Sequence, residues 1–371
     1  MSRLLSIAWK ELVQLRRDRL TIAMMSALPI VQLLLFGYAI DTDVRHLPTV
    51  VYDQDHSPSA RDFQRRMEAS ASFDIVGAAA SYEEVTRALR SGVAKVALVV
   101  PPRFGADLSA GRSSQLQLIV DGSEPLSVSS ASSTAAALAA AYGAELLEAR
   151  LGARGVAPVT VEPLIAFNPE LRTAVFIVPG LVGVILTMTM VMLTAMAIAR
   201  ERERGTLEQL IVTPVRRSEL VVGKIVPYVL VGYVQASVIL AIGRYVFDVP
   251  IAGSLPLLYA LALPFIGANL ALGLFFSTLA RTQQQAMQMS MFFLLPNILL
   301  SGFMFPWEAM PKPAQWISLA LPLTHFLRIV RGITLKGAGL ADLGDELLWL
   351  VGILCALVVV ASLNFRKRVD V

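Results

Sequence analysis

Residues 173–214 read TAVFIVPGLVGVILTMTMVMLTAMAIARERERGTLEQLIVTP, and this stretch decides the fold. Its first part, 173–199, has no charged side chain and is long enough to cross the hydrocarbon core of a bilayer as a helix. It then passes directly into alternating arginine and glutamate. Only 16% of the 371 residues are charged, whereas soluble domains carry about 25%. The sequence therefore predicts a membrane protein.

Apolar segments of this kind recur, and helices through them would satisfy every backbone polar group inside lipid. Six are found, at about 20–40, 173–199, 221–246, 255–279, 286–305 and 347–365. The first is expected to remain as an uncleaved anchor and not to be removed as a signal peptide. The fold class is therefore an α-helical polytopic membrane protein with six transmembrane helices.

Lysine and arginine near the ends of spans mark the cytoplasmic side of a membrane. They are concentrated before the first span, between the second and third, after the fourth and after the sixth, in 1–19, 200–224, at Arg281 and in 366–368. A path of six spans brings these four segments to one side. The sequence predicts a multi-pass protein of the bacterial inner (cytoplasmic) membrane with both termini in the cytoplasm.

Residues 41–170 have a different composition from the spans. Short β-like runs (Thr49–Tyr52, Phe73–Val76, Val96–Val100, Leu116–Val120) alternate there with helical patterns (Ser59–Ala69, Tyr82–Arg90), and an Ala- and Ser-rich helix follows at Ser127–Leu151. This alternation predicts a small α/β domain. Because it lies between the first and second spans, it is expected to be an inserted periplasmic domain.

The rest of the chain is divided accordingly. Residues 1–19 are expected to form a cytoplasmic interfacial helix, 20–40 the first span, and 171–371 a five-span transmembrane domain. The segment 303–345 lies outside by this count, although it holds Arg328, Arg331 and other cations and is broken by prolines. It is predicted to form short amphipathic or re-entrant helices at the outer interface and not a seventh span.

Residues 200–218 are predicted to form a cytoplasmic elbow and a short helix. Thr206 and Gln209 have the spacing of a capping box, and Thr213-Pro214 ends the helix. An apolar stripe of Leu207, Leu210 and Ile211 runs along one face. From the residues alone, this helix either lies on the bilayer or docks a cytoplasmic partner.

The same stretch resembles the signature of the ABC type-2 family of permeases. The matching positions are Glu201, Arg202, Glu203, Gly205, Thr206, Leu207, Glu208, Thr213, Pro214, Gly223 and Lys224. A second block, SGFMFPWEAMPKPAQWISLALPLTHFLRIVRGITLKGAG from Ser301 to Gly339, is similar to the outer re-entrant segment of that family. The order of spans and the large domain after the first span resemble its exporter subgroup.

This resemblance implies the permease subunit of an ATP-driven exporter, a multidrug-type efflux system that works as a dimer. It implies that an ATPase is coupled through Glu201, Glu203, Gly205, Thr206, Leu207, Glu208, Leu210, Ile211, Thr213 and Pro214. The implied partners are ABC ATPase subunits, a second permease copy or a sister permease, and a periplasmic membrane-fusion adaptor with an outer-membrane channel. Membrane lipid is a further partner, and no nucleic acid is expected.

The sequence contains no phosphate-binding loop of the form G-x-x-x-x-G-K-[ST]. ATP, Mg²⁺ and hydrolysis are therefore expected on a separate ATPase chain, and this chain is not expected to be an enzyme or to bind a cofactor. With one cysteine, Cys355, and three scattered histidines, it offers no metal motif. No catalytic grouping is apparent either.

Polar side chains within the spans are candidates for lining a pathway, namely Thr187, Thr194, Asn269 and Asn297. Such residues also serve simply to hydrogen-bond neighbouring helices. Apolar spans with few charges suit a drug-like, lipid or other amphipathic cargo moved out of the cytoplasm or the inner leaflet. Two alternatives stay open: an ion-coupled secondary transporter, and a membrane sensor whose periplasmic domain is a receptor.

Overall fold

A computed structural model of the protein describes residues 44–148, 159–203 and 217–364. The predicted interfacial helix at 1–19 and the predicted first span at 20–40 lie outside these residues. The described chain forms an α/β unit first and a set of long helices after it.

The α/β unit is built on one five-stranded sheet. Its strands are β1 (Leu47–Asp53), β2 (Phe73–Ala78), β3 (Val96–Val100), β4 (Ser114–Asp121) and β5 (Val159–Ala166). Their order across the sheet is β2-β1-β3-β4-β5, and every neighbouring pair is parallel except the antiparallel pair β3 and β4. The central strand β3 reads VALVV and is buried at every residue, as is typical of a strand covered on both faces.

Helices cover both faces of this sheet. They are α1 (Pro58–Ala69), α2 (Tyr82–Ser91), α3 (Phe104–Ser109) and α4 (Pro125–Glu148). Alternate side chains of the strands pack against α1, α3 and α4 on one face and against α2 on the other. Serine N-caps start α1 and α2, and Gly92, with φ of 78°, ends α2 in the left-handed conformation that suits glycine.

The chain enters and leaves the α/β unit at the same end of the strands, which forms one edge of the sheet. The register aligns Thr49 with Val96, Val96 with Val120, and Val120 with Ile165. The beginning of β1 therefore lies beside the ends of β4 and β5. This edge faces the long helices, because the backbone continues from Ala166 through a short turn into the next helix.

Seven α-helices follow in the described chain. They are α5 (Thr173–Glu203), α6 (Arg217–Tyr245), α7 (Leu255–Leu279), α8 (Gln283–Leu300), α9 (Lys312–Leu319), α10 (Pro322–Lys336) and α11 (Gly344–Asn364), with a 3-10 turn at Trp307–Ala309. Among the described residues, four helices are long and apolar enough to cross a membrane: α5, α6 from Pro227, α7, and α11 to Leu363. Glutamines make α8 more polar than these four, so the span at 286–305 stays a prediction.

Helices α5 and α7 form the centre of the helical part and bury most of their surface, whereas α6 and α11 bury little. Glycine lets α5 and α7 approach closely: a Cβ atom placed on Gly273 would lie 2.6 Å from the backbone oxygen of Val191. Helix α10 lies across α5, where Gly183 faces Leu323 and Phe326. The ring of Phe326 stacks on that of Phe265 in α7, with centroids 4.0 Å apart.

Candidate functional site

The charged end of α5 is fixed to the corner between α7 and α8. The Arg202 guanidinium donates hydrogen bonds to the backbone oxygens of Ser277 (3.1 Å) and Ala280 (2.7 Å). These carbonyls lie at the C-terminal end of α7, where the helix dipole places partial negative charge. The arginine therefore satisfies carbonyl groups that have no partner within their own helix.

The next residue makes the complementary contact with α8. The Glu203 carboxylate accepts hydrogen bonds from the backbone N–H of Gln283 at 2.9 Å and from its side-chain amide at 2.5 Å. Gln283 is the first residue of α8, where free N–H groups and the helix dipole favour an anion. Its amide oxygen also accepts a hydrogen bond from Nε of Arg200, at 3.1 Å.

The cationic Arg202 thus binds the C-terminal end of α7, and the anionic Glu203 beside it binds the N-terminal end of α8. We call Arg202, Glu203 and Gln283 the α5 clamp. Beneath it, small side chains keep the helices close: Ala195 and Ala199 of α5 pack with Ala280 and Ala286. The sequence pattern singled out Glu201 and Glu203 but missed the roles of Arg202 and Gln283. Arg202 lies 75 and 78 residues from the carbonyls that it binds, and Gln283 lies 80 residues from Glu203.

The predicted coupling segment begins inside α5. This helix runs through Glu203, so Glu201 and Glu203 are its last turn and not part of a separate short helix. The other predicted coupling residues are Gly205, Thr206, Leu207, Glu208, Leu210, Ile211, Thr213 and Pro214, and they lie outside the described residues. The clamp therefore directly precedes that segment in the chain.

A narrow cleft, with room for about one water molecule, lies between α5 and α8. It is lined by Thr187, Met188, Val191 and Met192 from α5, and by Ser290, Met291, Phe293 and Leu294 from α8. Flexible, polarisable methionine side chains adapt to varied apolar shapes. The Thr187 hydroxyl is buried and has no hydrogen-bond partner among the described residues, so it is available to a polar group of a ligand.

The other candidate pathway residues divide between two helix contacts. Thr194 lies against Gly273 where α5 crosses α7, and its hydroxyl has no partner in the described part of the chain. Asn269 turns its amide back onto its own helix and donates to the Phe265 oxygen at 2.9 Å. Asn297 of α8 is buried, and neither polar atom of its side chain is hydrogen-bonded within the described ranges. Of the four candidate pathway residues, only Thr187 lines the cleft.

Four long apolar helices with polar groups between them are the features of a multi-pass membrane protein. The family model described as "ABC-2 family transporter protein" matches residues 19–363. The chain belongs to this family of ABC transporter permeases.

Known permeases resemble the chain over nearly its whole length. It is 32% identical over 369 residues to the "Probable multidrug ABC transporter permease YbhR" of Escherichia coli, covering 99% of both chains. Identity to the "Probable multidrug ABC transporter permease YbhS" of the same organism is 28% over 376 residues, covering 99% of this chain and 98% of the relative. The "Inner membrane transport permease YhhJ" of E. coli is 33% identical over 292 residues, 77% of each chain. No solved structure shows significant similarity.

Proposed function

We propose that this chain is the transmembrane subunit of an ATP-driven exporter that moves drug-like, lipid or other amphipathic molecules out of the cytoplasm or the inner leaflet. Family membership and the names of the relatives support a multidrug-type permease. The observation that carries the mechanism is the α5 clamp, which joins the segment next to residues 204–216 to the α7–α8 corner.

In this proposal a separate ATPase chain binds ATP and Mg²⁺ and presses on residues 204–216 from the cytoplasm. The clamp passes the displacement to α7 and α8 together, because Arg202 holds the end of one helix and Glu203 the start of the other. Movement of α8 against α5 then opens or closes the cleft beside Thr187. Two permease subunits, either identical or sister chains, would enclose the full pathway.

The lining of the cleft favours an amphipathic cargo. With room for about one water molecule, the cleft is far smaller than a drug-binding pocket, so a ligand needs movement of α8 or surface from a second subunit. Methionine and phenylalanine supply apolar contact, and Thr187 and Ser290 supply hydroxyls. An ion-coupled carrier is less consistent with these spans, because such a carrier places ionisable groups inside the membrane. In the four described candidate spans the charged residues lie only near the helix ends.

The same proposal places the protein in a bacterial inner membrane, with the α/β unit on the periplasmic side and both termini in the cytoplasm. In this position the α/β unit is available to a membrane-fusion adaptor. Reporter tags at the C-terminus and within residues 44–148 test this arrangement. A C-terminal tag exposed to the periplasm would contradict it.

Transport into vesicles tests the function and the clamp together. The permease, purified with its bound ATPase, is reconstituted with an amphipathic fluorescent dye. We expect ATP to drive uptake into inverted vesicles, and Arg202→Gln to lower both uptake and dye-stimulated ATP hydrolysis by about tenfold, since one charged helix-end contact and two hydrogen bonds are lost. Basal ATP hydrolysis is expected to persist.

The matched control is Arg281→Gln. Arg281 is an exposed arginine of the same corner whose side chain makes no hydrogen bond within the described residues, so this variant removes the same charge without opening the clamp. It is expected to transport at nearly the wild-type rate. Uptake driven by a proton gradient in vesicles without an ATPase would refute the exporter. Equal loss of transport in both variants would refute the clamp.

A further inference from the structure

A buried network of charges joins the α/β unit to the helical part of the chain. The Lys336 ammonium, at the end of α10, donates to Oδ2 of Asp121, at the end of β4, over 2.5 Å. Both side chains are almost fully buried, at 7% and 1% exposure. The lysine also donates to the backbone oxygen of Leu89, at the end of α2, at 3.3 Å. One side chain therefore binds two elements of the other unit.

A second layer of ion pairs supports this contact from within the α/β unit. Lys95 donates to Glu124 at 2.8 Å and lies 3.9 Å from Asp121. Asp121 also accepts a hydrogen bond from the backbone N–H of Ser123 at 3.0 Å, which fixes the orientation of the carboxylate. The carboxylate is thus held in place by its own unit before Lys336 reaches it.

Arg331, five residues before Lys336 in α10, makes a second buried contact between the two parts of the chain. Its guanidinium donates to the backbone oxygens of Gly302 (3.1 Å) and Phe303 (3.4 Å), just beyond the end of α8, and lies 3.9 Å from Glu124. It is 5% exposed and is stacked over the ring of Phe176 in α5. The network therefore connects α5, α8 and α10 on one side to β3, β4 and α2 on the other.

The charge states agree with this geometry. Burial alone would raise the pKa of Asp121, but Lys336 and Lys95 outweigh it and hold that pKa below its ordinary value. Burial would likewise lower the pKa of Lys95, but Glu124, Glu308 and Asp121 raise it. Both groups are thus charged across the physiological range. Removing Lys336 would leave the buried Asp121 with only the more distant Lys95, at 3.9 Å, which is destabilising for that contact.

We propose that the Lys336–Asp121 pair is a latch that makes the α/β unit follow α10 when the membrane helices move. The inference rests on the proposed function, since it needs a transport cycle that moves those helices. Helix α10 is packed on α5 at Gly183 and on α7 through Phe326, so it moves with them. The last turn of α10 carries Lys336 into the α/β unit, and the displacement passes through the ion pair.

Purely apolar docking would hold the two units together but would not fix their orientation as narrowly. The latch combines a direct ion pair, a backbone carbonyl and the face of the Phe167 ring, whose centroid is 5.8 Å from the ammonium. Lys336 thus contacts three separate elements of the α/β unit. Ala309 of the 3-10 turn packs into the core of the α/β unit and adds a second, apolar point of contact. Two separated contacts restrict rotation of one unit against the other.

Hydrogen exchange in the full complex, with and without a trapped nucleotide, tests the latch. We expect the nucleotide to change exchange at residues 277–286, near the clamp, and at 119–124, in the α/β unit. In Lys336→Met the change at 119–124 should fall by at least about tenfold while that at 277–286 persists, because the helices still move but the ion pair is lost. Lys336→Arg, which keeps the charge, should retain most of the response.

Two further variants separate a relay from a merely structural role. Asp121→Asn breaks the latch from the opposite side with an isosteric side chain, and it serves if Lys336→Met does not fold. Arg66→Met removes ion pairs with Glu145 and Asp62 and a contact with the Tyr142 ring, all within the α/β unit and away from the interface, and should leave the response unchanged. An unchanged response at 119–124 in both latch variants would refute the proposal. A wild-type complex with no response at 277–286 would contradict the exporter function and the relay with it.

Discussion

The close approach of α5 and α7 leads to a prediction in which one substitution has opposite effects at two positions of the same helix. Gly273→Ala places a Cβ atom 2.6 Å from the backbone oxygen of Val191 and 2.9 Å from Cβ of Thr194. Ordinary contact requires about 3.5 Å, so the two helices must separate by about 0.9 Å. A backbone oxygen within a helix cannot rotate away, and the whole contact must therefore shift.

The magnitude follows from two opposing effects. Overpacking of this kind costs about 1–3 kcal/mol, whereas replacing a helical glycine by alanine gains up to about 1 kcal/mol. We expect Gly273→Ala to lose about 1–2 kcal/mol net. At Gly267, six residues earlier in α7, the added Cβ meets only the methyl groups of Leu354, at 3.3 and 3.5 Å. That side chain can move aside, so Gly267→Ala should be neutral or should gain up to about 1 kcal/mol.

The measurement is the midpoint of thermal denaturation of the purified permease in detergent. Denaturation is monitored through the fraction of protein that remains monodisperse. Gly273→Ala should melt several degrees below the wild type, and Gly267→Ala at or above it. A Gly273→Ala variant as stable as Gly267→Ala would show that α5 and α7 are farther apart than described. It would also remove the packing argument for Thr194 as a residue of the helix contact.

Three further predictions concern single side chains. Burial raises the pKa of Glu308, and Lys95 offsets this only partly. The folded-state pKa of Glu308 therefore lies above its unfolded value, and stability is lost as the pH rises through the folded-state pKa. The stability of Glu308→Gln relative to the wild type should thus improve from pH 5 to pH 8, and a constant difference in melting temperature would contradict this. Arg172 donates to the Phe247 oxygen at 2.8 Å beyond the end of α6, and Arg172→Gln should increase hydrogen exchange at 242–249. Thr187→Val should raise the KM by about tenfold for cargo that can form a hydrogen bond with the Thr187 hydroxyl. It should leave the KM of purely apolar cargo unchanged, as judged by vesicle uptake.

Most elements of the α/β unit could be predicted from local pattern. Four β-like runs fall within β1 to β4, and the helical patterns Ser59–Ala69 and Tyr82–Arg90 fall within α1 and α2. The predicted helix Ser127–Leu151 matches α4 as far as Glu148, and its last three residues lie outside the described residues, whereas α3 has no predicted counterpart. Strand β5 was missed. Its sequence VTVEPLIA contains Glu162 and Pro163, which argue against a strand, but it pairs only with β4 at the edge of the sheet, where proline is tolerated. Edge position is a tertiary property that a local pattern does not contain.

The charged residues show the same limit more sharply. Arg331 and Lys336 lie in the segment that a path of six spans places outside, where cations are unexpected. Their partners, Glu124 and Asp121, lie more than 200 residues earlier, and only the folded chain brings them together. Arg328 has a nearer partner, Glu346 at 2.8 Å. The positive-inside rule counts charges near spans, and it does not apply to cations that are neutralised inside a protein interface.

Helix α5 connects the features that matter for transport. Its 31 residues extend about 46 Å, with the clamp at one end, the cleft at Thr187 in the middle and the α10 contact near the other end. At that contact Gly180 and Gly183 leave no side chain between α5 and its neighbours: added Cβ atoms would lie 2.6 Å from Phe303 and from Leu323. Such a contact leaves no room for sliding. In the proposed cycle, a force applied at the clamp would therefore displace α10 as well as the wall of the cleft, and the same movement would reach the proposed latch at Lys336.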